Sequence, residues 1–150
     1  MPAKYKTIVI AVDASEEADE VLPALKKHGI DMITLLAPTT PPQRMKALAE
    51  QGSGYLYYVS MTGVTGSKRL DPEEIRVAVS EVRALSPIPV GVGFGITTAE
   101  DAAVVGSYAD AVVVGSALVK IVAEYGGKAE LQQRVAEFIG ALRHGLDGCR

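Results

Sequence analysis

Five short apolar runs recur along the 150-residue chain at intervals of roughly 25 residues, about the length of a strand followed by a loop and a helix. The runs are rich in Val, Ile and Tyr and do not alternate with polar residues, which is typical of strands buried on both faces of a parallel sheet. They are Thr7 to Asp13, Asp31 to Ala37, Tyr55 to Ser60, Ile88 to Gly95 and Asp110 to Ala117. This repeat predicts an α/β fold with a parallel sheet.

The stretches between and after these runs have helical character. They read SEEADEVLPALKKHG, TPPQRMKALAEQG, DPEEIRVAVSEVRAL, TTAEDAAVVGSY and KAELQQRVAEFIGALRHG. Asp71 precedes Pro72, Thr97 stands three residues before Glu100 as in a capping box, and Gly29 follows a basic stretch as a helix stop. No linker interrupts the repeat, so we predict one (βα)5 domain over residues 1–150.

Composition excludes several classes of function. The apolar fraction is 48% and the formal charge is −3, without the basic stripe that a nucleic-acid binder needs. No run approaches the roughly 18 apolar residues of a membrane span, and the single cysteine, Cys149, favours a reducing compartment. We therefore expect a soluble cytoplasmic protein that binds neither nucleic acid nor a membrane.

Glycine-rich loops follow three of the predicted strands. Ligands of parallel sheets bind beyond the C-terminal ends of the strands, where glycines expose backbone N–H groups and helix N-termini favour anions. Gly95, Gly115 and Ser116 would be neighbours there, which suits a phosphate group. Neither the dinucleotide G-x-G-x-x-G pattern nor a P-loop is present.

The segments LLAPTT, GYLYYVSMTGVTG, PIPVGVGFGI and ADAVVVGSALVK, in this order and spacing, resemble the C-terminal half of the tryptophan synthase alpha subunit. The resemblance runs from about Glu16 to the C-terminus and corresponds to strands four to eight of that family's (βα)8 barrel. It implies a half-barrel here. The family cleaves indole-3-glycerol phosphate to indole and glyceraldehyde 3-phosphate.

The resemblance also implies a set of site residues. Those matched to the family's phosphate site are Gly66, Gly95, Gly115 and Ser116. Those matched to its substrate pocket are Tyr57, Thr65 and Phe94. A phosphate or a sugar phosphate is the expected ligand, and no cofactor or metal is expected.

The family's two catalytic acids belong to early barrel units that this chain lacks, according to the same resemblance. Asp13 keeps an acid at the tip of the first strand, but an aspartate followed by ASEE is more often a helix cap than a general acid. We therefore assign no catalytic residue and expect no lyase activity from the chain alone. The alternative is a lyase whose site is restored by assembly.

A half-barrel leaves an apolar face and two sheet edges that need cover. Either two chains associate as a homodimer, or the helices redistribute to both faces in a flavodoxin-like doubly wound sheet. The opening KTIVIAVDASEEADE also resembles a flavodoxin-like domain, which keeps a nucleotide-binding or signalling module as a further alternative. An altered first strand joined to half of a family barrel suggests an engineered fragment or a chimera.

Overall fold

The computed structural model describes residues 9–12, 23–60, 72–93 and 95–148. Its five strands are β1 (Val9–Val12), β2 (Asp31–Leu36), β3 (Leu56–Val59), β4 (Val90–Gly93) and β5 (Ala111–Val113). Helix α1 covers residues 23–27 of the described chain. The other helices are α2 (Pro42–Gln51), α3 (Pro72–Leu85), α4 (Ala99–Gly106), α5 (Ser116–Tyr125) and α6 (Leu131–Asp147).

All strand pairs are parallel, and the strand order is β1-β2-β3-β4-β5. Each strand therefore pairs with the strands that flank it in sequence. A doubly wound sheet of the flavodoxin type requires a reversal of strand order, so that alternative is wrong for this chain. A sequential parallel sheet is the arrangement found in part of a (βα)8 barrel.

The hydrophobic core lies between one face of this sheet and the helices. Register places Leu36, Tyr58 and Val92 side by side on that face, and all three are buried. The helices contribute the other half of the core: Leu48 and Ala49 of α2, Val79 and Val82 of α3, and Ala102 and Val105 of α4. Val79 and Val82 therefore place the apolar side of α3 against the sheet.

The opposite face of the sheet has no described helix against it. Leu35, Tyr57 and Val59 point to this face and are only partly buried, and Ala111 on the edge strand is exposed. The face is the one that lines the interior of a closed barrel. The sheet thus has one covered face and one open face within the described residues.

Two helix boundaries illustrate how local sequence sets the elements. Gly29 ends α1 with φ of 65°, a left-handed conformation that glycine adopts without steric cost. At α4 the cap is Thr98 with Asp101, so the predicted pair Thr97 and Glu100 was wrong by one residue. The sequence TTAED offers both pairs at the same spacing.

Candidate functional site

The C-terminal edge of the sheet brings two predicted site residues to the same level. Gly93 of β4 is in register with Val113 of β5. Gly95 and Gly115 each stand two residues further along these neighbouring strands. The prediction that the two glycine-rich loops share one edge of the sheet follows directly from this register.

Gly95 forms an exposed turn between two buried positions. Its φ is 78°, a conformation that side chains with a Cβ disfavour. Gly93 before it is buried, and Ile96 after it is 7% exposed and packs in the core. The backbone at Gly95 is therefore exposed, whereas Gly93 and Ile96 are held in the buried part of the fold.

The helix after β4 begins with its N-terminus already occupied by a carboxylate. One oxygen of Asp101, Oδ2, accepts hydrogen bonds from the backbone N–H groups of Thr97 at 2.9 Å and Thr98 at 3.1 Å. The Thr97 hydroxyl also donates to that oxygen, at 3.0 Å, and Thr98 Oγ1 accepts from Asp101 N–H. The positive end of α4 is thereby satisfied from within the chain.

The helix after β5 begins in the opposite way. Gly115 is the N-cap of α5, no described side chain caps this helix, and its first turn contains no Asp or Glu. Both Gly115 and Ser116 are exposed. The first amides of a helix have no partner inside it, so α5 offers unfilled N–H donors at the sheet edge.

Helix α5 is not among the helices predicted from the sequence, because the fifth apolar run extends to Ala117 and the next predicted helix begins at Lys128. The available signal was the apolar spacing of Leu118, Ile121 and Tyr125, which are the more buried positions of α5. This helix makes the loop after β5 a helix N-terminus and not only a strand tip.

Tyr57 lies on the open face of the sheet, beside β4. A β-carbon added to Gly93 would lie 2.8 Å from Tyr57 Cζ, so the ring covers this glycine closely. The side chain therefore leans from the level of Gly91, its register partner, toward the C-terminal edge of β4. Burial, and to a smaller extent Tyr55, raises the pKa of the Tyr57 phenol, which keeps it a neutral hydrogen-bond donor.

A residue that the sequence analysis did not single out, Ser60, also contacts Gly93. It follows β3 directly and is 6% exposed. Its hydroxyl and its backbone N–H both donate to the Gly93 carbonyl oxygen, at 3.0 and 3.1 Å. The sequence places this serine at the end of the third apolar run but does not reveal its bonds to Gly93, 33 residues away.

Several predicted positions lie outside the described residues. They are Thr65, Gly66 and Phe94 of the predicted site, together with Asp13 and Cys149. In the part of the chain that is described, no three His, Cys, Asp or Glu side chains are arranged to hold a metal ion. No described helix combines the length and hydropathy needed to cross a membrane.

The sequence matches the family model described as tryptophan synthase alpha chain over residues 3–146. This match includes the first strand, which lies outside the resemblance noted from sequence. The tryptophan synthase alpha chain of Methylococcus capsulatus is 45% identical over 141 residues, covering 93% of this chain and 53% of that protein. The one from Citrifermentans bemidjiense is 47% identical over 131 residues, covering 87% of this chain and 49% of that protein.

Solved structures give the same result. The tryptophan synthase alpha chain from Legionella pneumophila superposes with a TM-score of 0.75 and 37% identity, covering 89% of this chain and 48% of that one. A Mycobacterium tuberculosis tryptophan synthase structure superposes with a TM-score of 0.74 and 37% identity, covering 93% of this chain and 51% of that one. The chain spans about half the length of the curated relatives that it matches.

Proposed function

We propose, from the premise that this chain belongs to the tryptophan synthase alpha chain family, that it binds the phosphate group of a small phosphorylated ligand at the C-terminal edge of its sheet. The ligand class is a sugar phosphate or inorganic phosphate. The proposed contacts to the phosphate are Gly95, Gly115 and Ser116 of the described residues, together with Gly66. The chain by itself carries out no lyase reaction in this proposal.

The uncapped N-terminus of α5 is the observation that carries the proposal. Helices α4 and α5 follow the two neighbouring strands β4 and β5, and Asp101 already fills the N-terminus of α4. At α5 the N-cap is a glycine with no side chain to compete for the N–H groups. An anion would therefore be held at Gly115 and Ser116 by free backbone donors and the positive end of the helix dipole.

The rest of the ligand would extend over the open face of the sheet. Tyr57 lies there, and its ring covers Gly93 next to the turn that contains Gly95. Its neutral hydroxyl can donate a hydrogen bond, and the ring offers an apolar surface. Thr65 and Phe94 are the other proposed pocket residues.

A titration of the isotope-labelled chain with glycerol 3-phosphate tests the phosphate site. We expect the backbone amide signals of Gly95, Gly115 and Ser116 to move with a common dissociation constant. Glycerol at the same concentrations is the matched control, because it lacks the phosphate group. Unmoved signals at all three residues would rule out the proposed site.

The lyase reaction of the family is proposed only for an assembly in which other barrel units supply the two catalytic acids. The chain covers about half of each relative, which is the observation that favours this second function. Incubation of the chain alone with indole-3-glycerol phosphate should release no indole. Indole formation by the pure chain would show that it holds its own catalytic acids.

Self-association would cover the part of the open face that the proposed ligand leaves free, and we propose a homodimer as the arrangement in solution. Leu35 and Ala111 on this face are apolar and lack a described covering layer. An exposed apolar patch of this kind favours association. Light scattering should give twice the mass of the monomer, and the mass of one chain would contradict the dimer.

A further inference from the structure

Within the described residues, Ser60 continues the pairing of β3 with β4 one residue past the end of β3, and it does so at the Gly93 carbonyl. Two hydrogen bonds reach its oxygen from the same residue: the Ser60 hydroxyl at 3.0 Å and the Ser60 backbone N–H at 3.1 Å. Ser60 is 6% exposed, so water does not compete freely for these bonds. A carbonyl that accepts two bonds from a buried residue is restricted in direction.

This carbonyl stands at the start of the turn that presents Gly95. The peptide unit is planar, so a fixed carbonyl also fixes the plane from which the chain leaves β4. On the other side of the turn Ile96 is anchored in the core. Gly95 is thus an exposed residue between two anchored ones: Gly93, which Ser60 holds, and Ile96, which packs in the core.

We infer that Ser60 is a positioning residue of the phosphate site, acting through the Gly93 carbonyl on the turn at Gly95. This inference rests on the proposed function of the same site. A preformed anion site needs its N–H donors aimed before the ligand arrives, since ordering a flexible turn on binding lowers affinity. A buried hydroxyl costs free energy unless it makes a hydrogen bond, whereas alanine at this position would carry no such cost. The contribution of the Ser60 hydroxyl therefore lies in its bond to the Gly93 carbonyl.

The test compares two serine-to-alanine variants at opposite ends of β4. Ser60→Ala removes the hydroxyl bond to the Gly93 carbonyl. Ser86→Ala is the matched control: the Ser86 hydroxyl donates to the Ile88 carbonyl at 2.7 Å, just before β4 begins. Amide chemical shifts and backbone order parameters of Gly95 and Ile96 are measured first in the free protein, and the glycerol 3-phosphate titration follows.

We expect Ser60→Ala to move the Gly95 amide signal and raise its mobility in the free protein, while Ser86→Ala leaves both unchanged. Loss of one buried hydrogen bond should weaken phosphate binding about three- to tenfold. Ser60→Thr keeps the hydroxyl and should restore the Gly95 signal. If Ser60→Ala does not fold, Ser60→Cys, with a weaker donor of similar size, should show a smaller shift in the same direction.

The inference is overturned if Gly95 is unchanged in the free Ser60→Ala protein, whatever that variant does to phosphate binding. It is also overturned if the Ser86 control disturbs Gly95 equally, because the effect would then be one of general stability. Failure of the wild-type chain to bind phosphate would refute the proposed function. The comparison in the free protein would still decide whether Ser60 sets the turn.

Discussion

Arg83 of α3 donates two parallel hydrogen bonds to Asp110, the residue before β5: Nη2 to Oδ1 at 2.7 Å and Nε to Oδ2 at 3.1 Å. The same Asp110 carboxylate accepts the Val90 backbone N–H at 2.9 Å, and Arg83 also donates to the Tyr108 carbonyl at 3.0 Å. The pair joins α3 to the starts of β4 and β5. It lies at the end of the sheet away from the proposed phosphate site.

Removing Asp110 should cost more stability than removing Arg83. The two side chains are 33% and 44% exposed, and an ion pair this accessible contributes about 0–1 kcal/mol. Asp110→Ala also leaves the amide of fully buried Val90 without its acceptor, which costs about 1–3 kcal/mol. Urea unfolding of Asp110→Ala and Arg83→Ala measures which variant loses more stability.

Asp110→Asn is the control, because an amide oxygen can still accept from Val90. Its loss of stability should fall between those of Arg83→Ala and Asp110→Ala. A larger loss for Arg83→Ala than for Asp110→Ala would show that the ion pair, and not the strand amide, dominates.

Gly115→Asp should have opposite effects on α5 and on phosphate binding. No atom of the described residues lies within 4 Å of a β-carbon at this position, so these residues leave room for the side chain. A carboxylate there would cap the helix and stabilise the chain by about 0.5–1 kcal/mol. The same charge would repel phosphate and weaken binding at least about tenfold.

Gly115→Ala separates charge from size in this experiment. It adds a β-carbon without a hydrogen-bond acceptor and should change phosphate affinity by less than about threefold. Thermal unfolding and the glycerol 3-phosphate titration are run on the three proteins. Unchanged phosphate binding by Gly115→Asp would place the anion elsewhere.

Two glycines of α6 should respond to alanine with opposite signs. A β-carbon at Gly145 would lie 3.1 Å from the carbonyl carbon of Ala99, at the start of α4. The backbone of Ala99 cannot move aside without disturbing α4. Gly145→Ala should therefore lower the free energy of unfolding by about 1–3 kcal/mol. At Gly140 a β-carbon would have no described atom within 4 Å, and Gly140→Ala should stabilise the chain by about 0.5–1 kcal/mol through the higher helix propensity of alanine.

Denaturant unfolding of the two alanine variants checks this contrast. Both substitutions are glycine to alanine in the same helix, and they differ in whether the backbone of α4 lies close to the added β-carbon. Equal effects of the two substitutions would mean that α6 does not approach α4 as closely as the structure places it.

Thr34→Val should stabilise the chain. Thr34 is fully buried on β2, and its hydroxyl has no hydrogen-bond partner within the described residues. Valine has the same shape and removes a buried polar group without a partner, so a gain of about 1 kcal/mol is expected. Chemical denaturation gives the change, with Thr34→Ala as a control that should lose stability because it leaves a cavity.

Alkaline pH should destabilise the fold through buried tyrosines. Burial raises the pKa of Tyr57, Tyr58 and Tyr108, with smaller contributions from Tyr55 at Tyr57 and from Glu81 at Tyr58. A raised pKa means that the folded chain favours the neutral phenol. The associated stability is present below the unfolded value of about 10 and is lost as the pH rises through the folded values.

Unfolding midpoints in urea should therefore stay flat through neutral pH and fall above about pH 10. Tyrosinate absorbance followed in parallel links the fall to phenol ionisation. Tyr108→Phe removes one of these groups and should make the fall shallower. A fall of unchanged steepness in that variant would assign the alkaline loss to other groups.

The sequence predicted the strands, and it also predicted that the loops after β4 and β5 lie at one edge of the sheet, because strand runs and loop spacing are local patterns. The runs beginning near Asp31 and Ile88 each contain the strand that the structure shows. Gly95 and Gly115 follow their strands at equal spacing, so parallel pairing brings them to one level. Strand order was left open, since the apolar pattern of a buried strand does not encode which neighbours it pairs with.

The remaining differences have physical causes. Helix α5 was missed because it begins at Ser116 with no capping residue and continues an apolar run without a break. Ser60 was missed because its role depends on a bond to Gly93, 33 residues away in sequence. The absent catalytic acids and the engineered or chimeric origin stay predictions.

The sequential strand order has a consequence for how such a chain can change in length. No strand of the described sheet is inserted between two others, so β2, β3 and β4 keep all their partners if a unit is added at the outer side of β1 or β5. Growth by whole strand–helix modules therefore breaks no existing ladder. A sheet of this order is an extendable array, and each of its two outer strands offers a template on which the next module can form.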